Sequence, residues 1–285
     1  MKTTILSVII CFLALNKEAK AQDKFIRNYE ISMFFGVRDT KIDSFPNTQN
    51  VDFMNYLYDS HEGSDYQYIG FSGHFWLKNN WESDFKVAMY DDFVPDNLDI
   101  TVQYFALKNI GLSFGLYTHS VLMNDFTMFH KTTGEGLYGD LETNFRQRKL
   151  FDRGVQGGLV LKQDLGVFHA SLKLAGGVSS FKPFSEVVLQ KQVDGNFVRQ
   201  IDYQTENTWN FFFFPDLRLN LDCLTMKKSK LGIQLQANYF YSEKSIDYTQ
   251  TTYDWTIENS TVQQVDSPKH WYRKFDLDFG LYLKW

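Results

Sequence analysis

The sequence predicts an all-β protein: a transmembrane, antiparallel, up-and-down β-barrel of about ten strands with long loops at one end. Three observations predict it. Apolar and polar residues alternate with period 2 in segment after segment from residue 29 onward. Short polar turns and long connections then take turns in joining those segments. Aromatic residues, 17% of the 285, gather on the apolar face near both ends of the segments. A mean hydropathy of -0.33 is too polar for a bundle of membrane helices. The aromatic content is far too high for a disordered chain. With 34 acidic against 29 basic residues and a formal charge of -5, nothing favours a nucleic-acid partner.

Residues 1–21 read as a signal peptide. Lys2 supplies the positive start, Ile5 to Leu15 an apolar run, and Ala19-Lys20-Ala21 a small-x-small site for cleavage before Gln22. The run is well short of the ~20 residues a membrane-spanning helix needs. Removing residues 1–21 takes away Lys2, Lys17, Lys20 and Glu18, leaving residues 22–285 as the barrel with a charge of -7. Cys223 is then the single cysteine, so no internal disulfide is expected; it is read as a free thiol in a short turn.

The first strand alternates Tyr29, Ile31, Met33, Phe35 and Val37 with Glu30, Ser32, Phe34, Gly36 and Arg38. The second runs from Ile69 to Leu77, turns at Lys78-Asn79-Asn80, and returns from Trp81 with Glu82, Asp84 and Lys86 on its polar side. A short link, Asp91 to Asp96, leads to a fourth strand at Ile100 to Ala106. Lys108-Asn109 turns it into a fifth, Ile110 to Leu116. Val155 to Leu161 and Phe168 to Leu174 form the next pair around Gln163-Asp164, with Lys162 and Lys173 on the polar face. Leu217 to Leu221, with Asp216, Arg218 and Asp222 opposite, precedes a turn from Thr225 to Lys230 and a strand from Leu231 to Tyr239. The tenth strand alternates Phe275, Leu277, Phe279, Leu281, Leu283 and Trp285 with Asp276 and Asp278. An eight- or twelve-stranded count follows if the short link or the extended loops are read otherwise.

One alternating strand fits a soluble sandwich equally well. The aromatics separate the two readings. Trp209, Phe211, Phe213, Tyr239, Tyr241 and Trp271 lie on the apolar face near the loop end, and Tyr29, Trp81 and Trp285 near the turn end. Two aromatic belts around an apolar band match the two faces of a bilayer. The alternation from Phe275 to a terminal Trp285 resembles the C-terminal sorting strand of Gram-negative outer-membrane barrels. With the signal peptide, the chain resembles a small outer-membrane β-barrel protein. The resemblance implies insertion by the barrel-assembly machinery, outer-membrane lipids as surroundings, and periplasmic termini.

The polar set, Glu30, Arg38, Glu82, Asp84, Lys86, Lys173, Asp216, Arg218, Asp276 and Asp278, is expected to line the lumen, where Asp84 with Lys86 and Asp216 with Arg218 can pair. Ten strands lie close to the size whose interior side chains fill. The expectation is a filled, non-enzymatic barrel; the alternatives are a narrow porin-like channel for small solutes or ions and, more weakly, an outer-membrane protease or lipid A hydrolase. A protease of the ten-stranded omptin type needs paired acids and an Asp-His pair at the rim. Here Asp91-Asp92 stand at that rim, but His119, His130 and His270 are isolated. His169-Ala170-Ser171 imitates a deacylase pair yet faces the lumen. No catalytic set, zinc spacing or cofactor motif is present.

The loops carry what remains. Residues 39–65 hold six acids together with Phe45, Phe53, Tyr56 and Tyr58, and residues 243–270 hold Tyr248, Tyr253 and Trp255. Residues 251–256 and 260–265 read as strands, and Asp194-Gly195-Asn196 as a hairpin tip. Aromatic loops on a rigid scaffold predict an interaction or accessory role in an outer-membrane complex, toward other outer-membrane proteins or glycans.

Overall fold

The computed structural model describes residues 26–42, 66–90, 94–123, 141–143, 148–181, 183, 185–191, 197–244, 247–255, 257–265 and 270–285. The signal-peptide reading and the loop aromatics Phe45, Phe53, Tyr56 and Tyr58 lie outside the described residues, as do Asp91, Asp92 and His130.

Ten strands close a barrel. Following the chain, they are β1 (Ile26–Ile42), β2 (Tyr66–Leu77), β3 (Trp81–Tyr90), β4 (Val94–Leu107) and β5 (Ile110–Met123), then β7 (Arg148–Leu165), β8 (Phe168–Phe181), β11 (Trp209–Thr225), β12 (Lys230–Lys244) and β15 (His270–Lys284). The intervening β6 (Leu141–Thr143), β9 (Ser185–Lys191), β10 (Phe197–Thr205), β13 (Tyr248–Asp254) and β14 (Asn259–Val265) belong to the long loops. Each barrel strand pairs antiparallel with its neighbours, and β1 meets β15 to seal the ring, with Ser32 opposite Tyr282 and Arg38 opposite Asp276. Closure leaves the barrel no unpaired edge, which an apolar surround requires.

The alternation fixes which face each side chain takes. Ile31, Met33, Phe35 and Val37 of β1 are exposed on the outside, while Glu30, Ser32, Phe34 and Arg38 are buried within. All ten predicted strands have the faces their alternation assigns. Phe211 is 77% exposed and Trp209 60%, on the outer surface near the loop end. At the turn end, Tyr29 stacks on Trp285 with ring centroids 4.8 Å apart, and Trp81 lies beside Tyr104. This polarity is inside-out relative to a soluble barrel.

Four sequence boundaries move. The Asn79-Asn80 turn holds, with both residues at positive φ and the Trp81 amide donating to the Lys78 carbonyl, as a type I′ hairpin requires. The β7–β8 turn lies at Gly166-Val167 instead of Gln163-Asp164, because Gly166 supplies the positive φ of 73°. Asp39 belongs to β1 and not to a loop, since pairing with β15 continues to Ile42. Pro95 lies inside β4 opposite Met89, where a register shift between Ala88 and Met89 accommodates it. Cys223, placed in a turn from sequence, is in β11 beside another such shift, exposed and free.

Candidate functional site

The lumen is crossed by side chains from opposing walls. At the loop end, Tyr117 of β5 stacks on Phe240 of β12 at 5.3 Å, and Phe212 of β11 stacks on Phe240 at 5.2 Å. His119 of β5 lies 2.6 Å from the Tyr272 hydroxyl of β15, on the opposite side of the barrel. His119, Phe240 and Tyr272 are almost wholly buried. These rings form a layer across the mouth below the loops.

Beneath that layer the charges meet across the lumen. Arg38 donates to both Asp276 oxygens at 2.6 and 3.2 Å, and Lys274 lies 3.5 Å from the same carboxylate. Asp278 accepts from Lys86 of β3 and from the Tyr68 hydroxyl of β2. Lys173 of β8 reaches Asp99 of β4 at 3.1 Å, and Gln156 donates to the other Asp99 oxygen. Arg218 of β11 spans the full lumen to Asp84 of β3 at 3.0 Å, while Gln236 holds Asp216 at 2.8 and 2.9 Å. Glu30 accepts from Asn220, and Glu82 from Lys162. His74 stands between the two acids of β3, 2.5 Å from Asp84 and 2.8 Å from Glu82.

Every lumen charge expected from sequence therefore faces inward, but the pairing differs. Asp84 does not pair with Lys86, nor Asp216 with Arg218; those partners sit two apart on one strand, and Asp84 instead meets Arg218, Lys86 meets Asp278, and Asp216 is held by Gln236 of the neighbouring strand. Buried charges need such partners to offset desolvation. Asp99 and Lys274 were not singled out from sequence. Extending the alternation of β4 and β15 by one residue pair places both on the polar face. The ring layer was also missed: placing Phe211 and Phe213 on the apolar face turns Phe212 inward, but nothing local shows that it meets Phe240 and Tyr117 at one level of the barrel.

Toward the turn end the lumen widens into a polar cavity of about 200 Å³, lined by Asp84, Lys162, Lys173, Arg218 and His169 among others. His169 contacts Asp164 at 2.8 Å and Asp222 at 3.3 Å. Ser171 lines the same cavity, so the His-x-Ser pair faces the lumen. His119 is committed to the ring layer. Among the described residues, no cluster of His, Cys, Asp and Glu is arranged to hold a metal ion.

Above the barrel, three long loops merge. The β9–β10 hairpin rises between β8 and β11, and the β13–β14 hairpin between β12 and β15; β10 pairs with β13 over seven residues, Arg199 opposite Asp254 to Thr205 opposite Tyr248. With β6 added from a third loop, the order is β14-β13-β10-β9-β6. Thr208 and Asp247 bond to each other at the base, and the Glu206 amide donates to the Asp247 carbonyl at 2.7 Å. Of the loop aromatics, Tyr248 is buried in this sheet, which removes it as a contact residue; Tyr253 and Trp255 remain exposed.

A closed antiparallel ring, apolar outside and charged within, is decisive for the class. The chain is a small outer-membrane β-barrel. No protein-family model matches this barrel, and no curated protein matches it in sequence. Among solved structures it is similar to the outer-membrane protease OmpT from Escherichia coli, with TM-score 0.42 and 10% identity over 94% of this chain and 99% of that one. It is also similar to a major outer-membrane protein from Thermus thermophilus (TM-score 0.34, 10% identity, 90% and 99% covered). A third is the toluene transporter TodX from Pseudomonas putida (TM-score 0.33, 8% identity, 90% and 88% covered).

Proposed function

We propose that this barrel is a non-enzymatic interaction module at the cell surface, an accessory or scaffolding member of an outer-membrane assembly, working through its loop-borne sheet. The pairing of β10 with β13 carries the reading. Two loops that could each have folded separately share one sheet, so their ordering presents a continuous surface on a rigid base. Binding residues gain from such a base because less conformational entropy is lost on contact. The acidic, aromatic loops suit a protein or glycan; bare contact with anionic lipid headgroups is disfavoured by charge.

A narrow conduit is the second reading, favoured by the charged cavity at the turn end. The ring layer of Tyr117, Phe212 and Phe240 argues against it, since ions would have to pass buried aromatics. Gentle extraction followed by affinity purification and mass spectrometry, with and without residues 248–265, tests the proposal. Partners recovered with the intact chain and lost from the deletion support it. Recovery of the barrel alone in both cases contradicts it.

A further inference from the structure

The sheet ends at β14, and its far edge is open: among the described residues no strand pairs there. Sheet edges expose a row of amides and carbonyls, and native proteins commonly protect them with charge, proline or brevity. The residues Asn259-Ser-Thr-Val-Gln-Gln-Val265 have none of these protections. The strand has seven residues, is uncharged, and is exposed from Asn259 to Gln264, with Val262 71% exposed. The opposite edge, β6, has three residues.

From these observations we infer that β14 receives an extended, uncharged segment of another protein by strand addition. The inference rests on the surface role proposed above and names its partner. Hydrogen-bond geometry sets the class of partner, because only an extended polypeptide matches the donor and acceptor spacing of an edge. Side chains set the preference. Val262 lies opposite Thr251, and Ser260 opposite Tyr253, so Val262 and Tyr253 are diagonal neighbours on one face. A β-branched or aromatic residue on the incoming strand packs against both, and no charge on β14 selects a charged partner.

A second copy is the wrong occupant. β13 continues upward from β12 and β14 descends toward β15, so every copy in one membrane presents β14 running downward. Two copies related by an axis along the membrane normal then place amide opposite amide and carbonyl opposite carbonyl, and no ladder forms.

Arrays of eight-residue peptides with alternating Thr-Val, Thr-Tyr, Thr-Lys and Thr-Glu patterns, each in plain and alternately N-methylated form, test this against the full chain in nanodiscs. Thr-Val and Thr-Tyr peptides bind, N-methylation weakens them at least tenfold, Val262→Lys does the same, and Val262→Thr retains binding. A heat-dependent gel shift checks that each variant is folded. Equal binding of N-methylated peptides, indifference to Val262→Lys, absence of any bound peptide, or capture of a second copy in their place overturns strand addition. If co-purifying partners survive Val262→Lys but are lost with residues 248–265, strand addition alone has failed. If they survive both, the surface role itself has failed.

Discussion

Arg218 extends from β11 to a carboxylate on the far wall, and that reach defines what it does for the protein. Half-buried beside Asp84, whose other contacts are His74 and Gln103, it supplies the guanidinium that crosses the full diameter of the lumen. Replacing it with methionine leaves Asp84 with a histidine and an amide in place of a full cation. The expected cost is about 2 kcal/mol, below the range for breaking a fully buried ion pair, because the pair is half-buried and those partners remain. Denaturant unfolding in micelles measures it. Phe240→Ala removes the ring on which both Tyr117 and Phe212 stack; its expected cost is about 3–5 kcal/mol. Small residues matter for the converse reason. A Cβ on Gly177 would lie 2.0 Å from the Val155 carbonyl oxygen and 2.8 Å from Phe212, so Gly177→Ala is expected to impair barrel assembly, read as loss of the heat-dependent gel shift.

At the level of elements, period 2 made the barrel legible, because one strand face meets lipid and the other does not. Residues 69–77 and 81–89 show why boundaries were legible too: Asn79-Asn80 is a turn signal that no strand interior tolerates. Gly166 was passed over because Gln163-Asp164 looks as turn-like by composition, and only backbone geometry separates them. The loop hairpins were readable from local alternation, while the Asp194-Gly195-Asn196 tip reading lies outside the described residues. Their union through β10 and β13 was not, since Arg199 and Asp254 are 55 residues apart and nothing local encodes that meeting. The same limit hid the lumen partners: the face of Asp84 is a local property, its pairing with Arg218 a property of closure. Because β13 is central in the sheet, Thr251→Pro removes an amide from one of its two ladders. The expected result is loss of protease protection in residues 197–205 and 248–265, with the barrel still heat-modifiable on a gel.

For the molecule as a whole, the ring layer and the charge network span the lumen, and the recognition role proposed above falls to the outer sheet. A ten-stranded ring is near the size that its own side chains fill. Here Tyr117, Phe240, His119 and Tyr272 span it from opposing walls. Single-channel recording in planar bilayers tests this division of roles most directly. The wild-type barrel should give no stable conductance steps, and Phe240→Ala should admit small ones by thinning the layer. Large, stable steps from the wild-type protein, altered in ion selectivity by neutralising Arg218 or Lys173, would contradict the account and make the lumen the working surface.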